Sequence, residues 1–288
     1  MTTPPRPDSA LRRRFGPTAL ITGASDGIGR ALAFRLAEQG VELILVARRE
    51  AALRELAQVL RARFGVDVLV LASDLSRPGA VPALLAATQG APVGLLVAAA
   101  GFGSVGPFLD RDAAGEANMV DLNCRAVVEL SHGFGQRMAR QGRGGIVLFG
   151  SLVGFSGAPL SATYAATKGF VQSFAEGIAA ELRPLGVQVL AVAPGPVGTG
   201  FAARAGMRMG RAASPDTVAR GALAALGRRG SVRPGALAKA LGWSLAMLPR
   251  RGRVQVMGLI MRGMVAGDGA GAPAPARDTA APRRHRGP

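Results

Sequence analysis

The amino-acid sequence predicts an α/β fold, in which a parallel β-sheet carries helices on both faces. Short runs rich in leucine and β-branched residues alternate along the chain with alanine-rich stretches of helical periodicity. A glycine-rich turn follows the first of these apolar runs. With 288 residues and 49% hydrophobic content, the chain is able to bury one large core. Strands that alternate with helices form parallel sheets covered on both sides, so a single α/β domain is expected.

Six apolar runs are predicted as strands, because each is short and bounded by turn-forming residues. They are ALIT from residue 19, VELILV from 41, VDVLVL from 66, VGLLVA from 93, GIVLF from 145 and VQVLAV from 187. The alanine-rich segments between them predict crossover helices. Together these elements predict one main domain over residues 17–235.

Composition distinguishes three segments outside this domain. Residues 1–16 are rich in proline and arginine, and residues 267–288 are mostly glycine, alanine, proline and arginine, which predicts a disordered arm and a disordered tail. Residues 236–266 combine apolar stretches with basic residues near Pro249, which predicts a basic amphipathic helical extension. Three placements suit this extension, in order of preference: docked on the core, over the pocket of a neighbouring subunit, or on an anionic membrane surface.

Charge and cysteine content narrow the class of protein. No apolar run reaches the roughly 18 residues needed to cross a bilayer, and no secretory signal is evident, so a cytoplasmic location is expected. The net charge of +17 leaves peripheral membrane contact open, whereas 5% aromatic content disfavours a specific nucleic-acid partner. Cys124 is the only cysteine, and His132 and His285 are far apart, so neither a disulfide nor a metal site is expected.

The turn GASDGIG, after the first predicted strand, indicates a nucleotide site. Its glycines are spaced by three residues and then by one, between a strand and a helix. Glycines there let the backbone approach a pyrophosphate, whose charge a helix N-terminus favours. This arrangement is typical of a Rossmann-like doubly wound sheet. The candidate contacts are Gly23, Ser25, Gly27, Ile28 and Gly29.

The end of the second predicted strand bears on which nucleotide is bound. In NAD-binding folds an acidic residue at this point accepts hydrogen bonds from the ribose 2′-OH, but here Ala47 is followed by Arg48 and Arg49. A guanidinium pairs instead with a 2′-phosphate. NADP(H) is therefore favoured over NAD(H). The alternative is that both arginines only solvate the start of the next helix.

The segment YAATK contains Tyr164, the only tyrosine of the chain, and Lys168, one of two lysines. Four residues apart on a helix, the two side chains lie on one face. A phenol titrates near pH 10, and a nearby cation favours the phenolate. The pair therefore predicts a proton relay, in which Lys168 and the charge of an oxidised nicotinamide lower the pKa of Tyr164.

Taken together, these motifs resemble the short-chain dehydrogenase/reductase family in its compact single-domain form, over about residues 17–230. TGASDGIG is similar to the family's TGxxxGxG, YAATK to its YxxxK, and APGPVGT to its PGxxxT segment. Ser151 lies thirteen residues before Tyr164, where the family has its catalytic serine. The resemblance implies an oxidoreductase, a carbonyl reductase or alcohol dehydrogenase, that transfers hydride between NADP(H) and a ketone, aldehyde or alcohol.

The resemblance also implies roles for individual residues. The implied catalytic residues are Asn123, Ser151, Tyr164 and Lys168. Asn123 would anchor a water, and Tyr164 and Lys168 would also contact the cofactor. The further implied cofactor contacts are Asp74, Leu75, Gly101, Pro194, Gly195, Val197 and Thr199. For Asp74 a turn-forming aspartate is the plain alternative, and for Asn123 an asparagine at a helix kink.

One departure from the family pattern concerns the end of the fourth predicted strand. Where the family has NNAG, this chain has Ala98-Ala99-Ala100-Gly101, so two side-chain amides are absent. Two potential hydrogen bonds of ~0.5–1.5 kcal/mol each are lost with them. Cofactor binding is expected to survive, in weaker form.

The substrate and partners are predicted more coarsely. A substrate lid after Thr199 would contain Met207 and Met209, whose side chains adapt to apolar ligands. Further apolar surface, which core packing explains equally well, is expected from Phe102, Phe108, Val153 and Phe155. These residues suggest a hydrophobic ketone or aldehyde, and the resemblance implies a homodimer or homotetramer. The rival hypotheses are a non-catalytic nucleotide-binding scaffold and a peripheral membrane or nucleic-acid binder that uses the basic surface.

Overall fold

The computed structural model describes residues 9–206 and 212–265, and a parallel sheet forms its centre. Within these residues the sheet has seven strands in the order β3-β2-β1-β4-β5-β6-β7, and every neighbouring pair is parallel. The strands are β1 (Thr18–Thr22), β2 (Glu42–Ala47), β3 (Val68–Ala72), β4 (Val93–Ala98), β5 (Gly144–Phe149), β6 (Val187–Val192) and β7 (Ser231–Val232). The predicted Rossmann-like doubly wound fold is confirmed, and β7, at two residues, is too short to leave a pattern in the sequence.

Helices cover both faces of this sheet. They are α1 (Ala10–Phe15), α2 (Gly27–Glu38), α3 (Glu50–Phe64), α4 (Ala80–Ala87), α5 (Ala113–Val120), α6 (Ala126–Arg140), α7 (Ala162–Leu182), α8 (Gly200–Ala205), α9 (Pro215–Ala225), α10 (Ala236–Ala246) and α11 (Arg250–Val265). Along β1, Ala19 and Ile21 pack beneath α2, α3 and α9, whereas Leu20 packs beneath α4, α6 and α7. Each strand therefore contributes to two apolar layers, as a sheet covered on both sides requires.

The sheet topology determines where a ligand site forms. The strand order reverses between β1 and β4, which are neighbours although two strands and three helices separate them in sequence. In open α/β sheets, ligands bind in the crevice outside the carboxyl ends of the strands at such a point.

The prediction of a disordered arm is wrong for residues 9–16, which form and flank helix α1. Ser9 caps this helix, because its Oγ accepts a hydrogen bond from Arg12 N at 3.3 Å. Phe15 is only 2% exposed and belongs to the core, and the Arg12 guanidinium donates to the Gly40 carbonyl. One buried aromatic ring and one cap thus order a segment whose proline and arginine content predicts disorder. Residues 1–8 and the predicted tail, 267–288, lie outside the described residues.

The helical extension predicted over residues 236–266 corresponds to α10 and α11. Met257 and Met261 of α11 are buried against Ala158 and Ala165 of the same subunit. The structure therefore has the first of the three predicted placements, in which the extension docks on the main domain. In the described part of the chain no helix is both long and apolar enough to cross a bilayer.

Candidate active site

A groove with a cavity volume of about 300 Å³ lies at the carboxyl ends of the central strands. It is lined by every predicted cofactor contact: Gly23, Ser25, Gly27, Ile28, Gly29, Arg48, Arg49, Asp74, Leu75, Gly101, Tyr164, Lys168, Pro194, Gly195, Val197 and Thr199. Ser151 lines it as well. The fold therefore brings these predicted contacts, which extend along the sequence from Gly23 to Thr199, to one edge of the sheet.

The turn between β1 and α2 forms the floor of this groove from backbone atoms. Gly23 has a φ of +66°, and a Cβ atom there would lie 2.8 Å from both Ala100 N and Ala99 O. A Cβ atom at Gly29 would lie 2.4 Å from the carbonyl oxygen of Gly23. Asp26 caps α2, because its carboxylate accepts from Gly27 N at 2.7 Å. Exposed backbone at the glycines of a helix N-terminus fits the pyrophosphate of a dinucleotide.

Two arginines and a carboxylate occupy the end of the groove next to β2 and β3. Arg48 and Arg49 are exposed, and Arg49 Nη2 lies 3.3 Å from Ser25 Oγ. Asp74 accepts hydrogen bonds from Ser76 Oγ at 2.8 Å and from Ser76 N at 3.2 Å. Burial raises the pKa of Asp74, but these bonds and the charge of Arg48 outweigh burial and bring the pKa below its ordinary value. The groove thus offers both cations and a charged acceptor at this end.

The turn after β4 lacks the two amides of the family pattern, and a hydroxyl from β1 braces it instead. Ala100 N donates to Thr22 Oγ1 at 3.0 Å, and Ala99 N donates to Val97 O at 3.1 Å. The backbone of this turn keeps hydrogen-bond partners although its side chains are methyl groups.

Ser151, Tyr164 and Lys168 meet at the centre of the groove. Ser151 follows β5 after Gly150, and its hydroxyl faces the Tyr164 phenol and lowers the pKa of that phenol by hydrogen bonding. Lys168 Nζ donates to the Phe149 carbonyl at 2.8 Å and lies 5.6 Å from the centroid of the Tyr164 ring. The end of β5 and one face of α7 therefore converge on the same point.

The pKa values of this pair are shifted by burial. Burial raises the pKa of Tyr164 to about 12, against the hydrogen bond with Ser151, which lowers it. Burial also lowers the pKa of Lys168 to about 8. In the polypeptide alone, the pKa of Tyr164 moves in the direction opposite to the predicted one. The reason is that desolvation of the phenolate dominates, while the Lys168 ammonium is engaged by the Phe149 carbonyl.

These pKa values predict how stability depends on pH. Between its folded pKa of about 8 and its ordinary value of 10.5, Lys168 binds fewer protons in the folded protein than in the unfolded chain, so its contribution to the unfolding free energy rises with pH. We expect the unfolding free energy of the wild type, relative to Lys168→Met, to rise by ~2–3 kcal/mol across this window. Urea unfolding of the ligand-free proteins at a series of pH values measures it.

Tyr164 has the opposite effect on the unfolding free energy at higher pH. Its folded pKa of about 12 exceeds its ordinary value of 10.0, so above pH 10 the folded protein binds more protons and this contribution falls. A Tyr164→Phe variant should lose that fall but keep the rise that Lys168 causes. If the unfolding free energies of the wild type and Lys168→Met depend on pH in the same way, the lowered pKa of Lys168 is wrong.

Asn123 lies behind the groove wall and does not line it. It is 1% exposed, in a π-helical segment, Asp121–Arg125, that joins α5 to α6. Its Nδ2 donates to Phe102 O at 2.9 Å and to Thr167 Oγ1 at 3.1 Å, and its Oδ1 accepts from Phe102 N at 3.2 Å. Asn123 therefore ties the loop after β4 to α7. Its predicted role as the anchor of a water stays a prediction.

The opposite end of the groove is apolar. Phe201 stands beside the catalytic candidates, with its ring centroid 5.4 Å from that of Tyr164. The remaining apolar lining of this end is Leu152, Val153, Leu241, Leu245, Met257, Ile260, Met261 and Met264. Six of these eight side chains come from α10 and α11. The helical extension therefore forms one wall of the groove.

Comparison with known proteins decides the family. A sequence model of the short chain dehydrogenases matches residues 17–209, about two thirds of the chain. The chain belongs to this family. The matched region contains the glycine turn, Ser151, Tyr164 and Lys168, so the motifs and the geometry agree with the assignment. The protein is therefore an oxidoreductase of the short-chain dehydrogenase family.

Two enzymes and one solved structure show how far the similarity extends. The 7beta-hydroxysteroid dehydrogenase of Clostridium sardiniense is 34% identical over 185 residues, which are 64% of this chain and 71% of that protein. The very-long-chain 3-oxoacyl-CoA reductase of Anas platyrhynchos is 29% identical over 260 residues, 88% of this chain and 82% of that protein. A solved short-chain dehydrogenase from Sphingobium yanoikuyae in complex with NADPH is 34% identical, with a TM-score of 0.72, and covers 81% of this chain and 97% of that chain. That complex supports a nicotinamide nucleotide as the cofactor.

Several predicted apolar contacts of this short-chain dehydrogenase lie elsewhere. Val153 lines the groove as predicted, but Phe108 is 63% exposed and Phe155 packs under Arg233, whose Cζ lies 4.6 Å from the ring centroid. Phe102 does not line the groove either. The predicted Met207 and Met209 lie outside the described residues.

The apolar side chains of α10 and α11 are the groove-lining residues that sequence reasoning missed. A signal for them is present, because Met257, Met261 and Met264 are spaced by four and then three residues and so share one face of a helix. The same spacing is equally typical of a helix packed on any core, and only the fold shows that the groove lies beneath this face.

Proposed function

We propose that this short-chain dehydrogenase reduces a bulky apolar ketone with NADPH, and catalyses the reverse oxidation of the corresponding secondary alcohol with NADP⁺. One observation carries the proposal. Ser151, Tyr164 and Lys168 meet where the glycine floor of the groove joins a wall of apolar side chains from α10 and α11. A carbonyl group at this junction lies within reach of the phenol while its apolar body contacts the wall.

The cofactor residues fit NADP(H). The backbone at Gly23 and Gly29 would receive the pyrophosphate, and the guanidinium groups of Arg48 and Arg49 would bind a 2′-phosphate. Asp74, which is charged at neutral pH, would accept from the adenine amine. When bound, the nicotinamide supplies the hydride in reduction and accepts it in oxidation.

The side chains of the groove handle the proton. In reduction, Ser151 Oγ donates a hydrogen bond to the carbonyl oxygen and stabilises the negative charge that develops there. Tyr164 Oη gives its proton to that oxygen as the carbonyl carbon receives the hydride, which leaves a neutral alcohol and a phenolate. A pKa of about 12 keeps the phenol protonated before the reaction, so Tyr164 enters as an acid.

Lys168 stabilises the phenolate that remains. With a pKa of about 8, its ammonium is protonated at neutral pH, and Nζ lies 5.6 Å from the centre of the tyrosine ring. The Phe149 carbonyl holds the lysine in place. Asn123 lies behind Gly101 and holds the neighbouring loop. The space there is tight, because a Cβ at Gly101 would lie 3.0 Å from Asn123 Oδ1 and 3.6 Å from Lys168 Nζ. The apolar wall excludes water, which strengthens the attraction between the ammonium and the phenolate.

The apolar wall also supports the substrate class. Aliphatic and aromatic side chains line this end, and the charged lining side chains belong to the cofactor end and to Lys168. The similar hydroxysteroid dehydrogenase acts, by its name, on a large rigid alicyclic compound. A second candidate substrate is a long-chain 3-oxoacyl thioester, because the similarity to the 3-oxoacyl-CoA reductase extends over 88% of this chain. Both candidates bury a large apolar body against α10 and α11.

Turnover with both nucleotides tests this function. We expect the protein to oxidise NADPH in the presence of bulky alicyclic or long-chain carbonyl compounds, and Arg48→Ala to raise KM for NADPH about tenfold, because a charge-assisted contact with the 2′-phosphate is lost. KM for NADH should stay within about twofold, because NADH has no 2′-phosphate. Absorbance of the reduced nicotinamide measures both rates.

A matched control removes another arginine of the same region. Arg54→Ala deletes an exposed guanidinium of α3 that pairs with Glu50 and does not line the groove. It should leave both KM values unchanged. Equal losses for NADPH and NADH in Arg48→Ala would overturn the cofactor preference, and NADPH binding without turnover of any carbonyl compound would indicate the non-catalytic scaffold instead.

A further inference from the structure

The outer faces of α10 and α11 are unusual for a surface, because they combine large exposed apolar side chains with basic side chains and no acidic ones. Trp243, Met247 and Leu259 are 73%, 81% and 64% exposed. Residues 236–265 contain five basic side chains and no acidic ones. The basic residues are Lys239, Arg250, Arg251, Arg253 and Arg262.

Four of these five basic side chains have no carboxylate partner among the described residues. Lys239, Arg250, Arg251 and Arg262 are exposed, and none of them forms an ion pair with the residues that the structure describes. By contrast, arginines elsewhere on the surface, such as Arg54 and Arg125, pair with nearby carboxylates. Cations that lack such partners are available to an anionic ligand.

Each helix has two faces with different contacts. On α10, Leu241 and Leu245 line the groove, whereas Trp243 is exposed, as is Met247, which caps the C-terminus of the helix. Two residues correspond to about 200° around a helix, so these pairs lie on opposite sides. On α11 the groove-lining Met257 and the exposed Leu259 are related in the same way. The two helices therefore separate the apolar end of the groove from an outer surface that is both apolar and basic.

We propose that this outer surface docks the protein on an anionic lipid bilayer, with Trp243 and Met247 in the interface and the basic side chains against the lipid phosphates. Tryptophan and methionine gain from burial among the upper acyl chains, and basic residues are attracted to anionic headgroups. Docking in this orientation places the apolar end of the groove directly behind the membrane-bound helices. An apolar substrate dissolved in the bilayer then enters the groove between α10 and α11, a step that rests on the function proposed above.

Two other occupants fit the surface less well. A second copy of the chain would bring two such surfaces together across a two-fold axis, and both would be positive without any acidic side chain from residues 236–265. A nucleic acid would satisfy the cations, but phosphate contacts provide nothing for Met247 and Leu259, whose exposed area is apolar. An anionic bilayer satisfies both features at once.

Vesicle binding by the full-length protein tests the proposal without any turnover. The probes are vesicles of phosphatidylcholine with and without phosphatidylglycerol, with NADP⁺ present. We expect sedimentation with the anionic vesicles and at least about tenfold weaker partition into phosphatidylcholine alone. Trp243 is the only tryptophan, so a blue shift of the tryptophan emission on binding reports the entry of this one ring into the lipid interface.

Variants with equal charge loss make the test specific. Arg250→Gln combined with Arg251→Gln should lower the partition coefficient roughly 10–30-fold, since each basic side chain near an anionic surface contributes about one factor of five. Trp243→Ala should also lower it. The matched control is Arg228→Gln with Arg229→Gln, which removes two exposed arginines just before β7, at the edge of the sheet opposite the groove. The control should bind as the wild type does.

Four results would overturn the proposal. They are the absence of binding to anionic vesicles, an equal loss in the control variant, tighter binding to duplex DNA that Trp243→Ala leaves unchanged, and lipid-free self-association that Trp243→Ala abolishes. Tyr164→Phe should bind vesicles as the wild type does. Failure of docking and failure of the proposed catalysis are therefore observed separately.

Discussion

Tyr164→Phe is expected to lower kcat for carbonyl reduction on the order of 10³-fold, within the range that a general acid contributes. The substitution removes the phenol of the only tyrosine in the chain. Ser151 does not replace it as the proton donor, because a serine hydroxyl is a much weaker acid. The phenylalanine ring keeps the contacts with Phe201 and Lys168, so the groove retains its shape. Stopped-flow or steady-state absorbance of NADPH with a ketone substrate measures the effect.

Nucleotide binding separates this chemical effect from a structural one. The Kd for NADPH should change less than about threefold, because only one hydroxyl and its hydrogen bond with Ser151 are lost. Ser151→Ala should reduce kcat by a smaller factor, about 10²-fold, as expected for one donor to the developing oxyanion. If Tyr164→Phe keeps more than a tenth of the wild-type kcat, the proton comes from another group and the mechanism proposed above is wrong.

Gly23→Ala is expected to destabilise the protein by about 3 kcal/mol, the sum of two effects. A side chain at a left-handed backbone position costs about 1–2 kcal/mol. The added Cβ would also lie 2.8 Å from Ala100 N and Ala99 O, and such overpacking costs about 1–3 kcal/mol because backbone atoms do not yield easily. The turn would shift away from β4, so NADPH affinity should fall more than about tenfold.

Gly79→Ala is the matched control for this glycine. Gly79 has a φ of +78°, similar to the +66° of Gly23, but an added Cβ there has no neighbour within 4 Å. It also lies outside the groove lining. The substitution should therefore cost only the conformational part, about 1–2 kcal/mol, and leave NADPH affinity unchanged. Equal effects of the two variants in urea unfolding would show that contact with the turn after β4 does not matter.

The two ends of the groove are lined by different kinds of groups. The cofactor end is made of backbone at Gly23 and Gly29 and of charged side chains from the strand ends, which suits a ligand of constant shape and charge. The other end is made of apolar side chains from α10 and α11. Substitutions such as Met261→Phe would change that wall without touching the cofactor residues. The helical extension is therefore the part of the chain through which substrate preference is expected to vary.

The membrane proposal and the substrate class are linked through the same two helices. A compound that suits the apolar wall partitions into lipid rather than water, so its concentration is highest in a bilayer. Docking of α10 and α11 on that bilayer would bring the groove to the substrate. The sequence predicted docking on the core and docking on a membrane as alternative placements of the extension. The two placements are compatible, because each helix has one face toward the groove and another toward the outside.

Sequence alone was sufficient for the features that depend on local pattern. Apolar runs that alternate with helical stretches predicted the doubly wound sheet, and the glycine spacing placed the turn after β1 at the groove. The four-residue spacing of Tyr164 and Lys168 placed both on one face of α7. These features are readable because helix and strand periodicity, and the backbone freedom of glycine, are properties of a few consecutive residues.

Only the tertiary structure decided the features that depend on distant residues. Phe15 is ordered because a core lies beneath it, the methionines of α11 line a groove because the extension folds back over the strand ends, and Asn123 ties Phe102 to Thr167 rather than lining the groove. The pKa of Tyr164 rises because surrounding atoms remove water from its phenolate. Burial and desolvation are set by what packs around a side chain, and that neighbourhood is assembled from segments whose proximity no local pattern encodes.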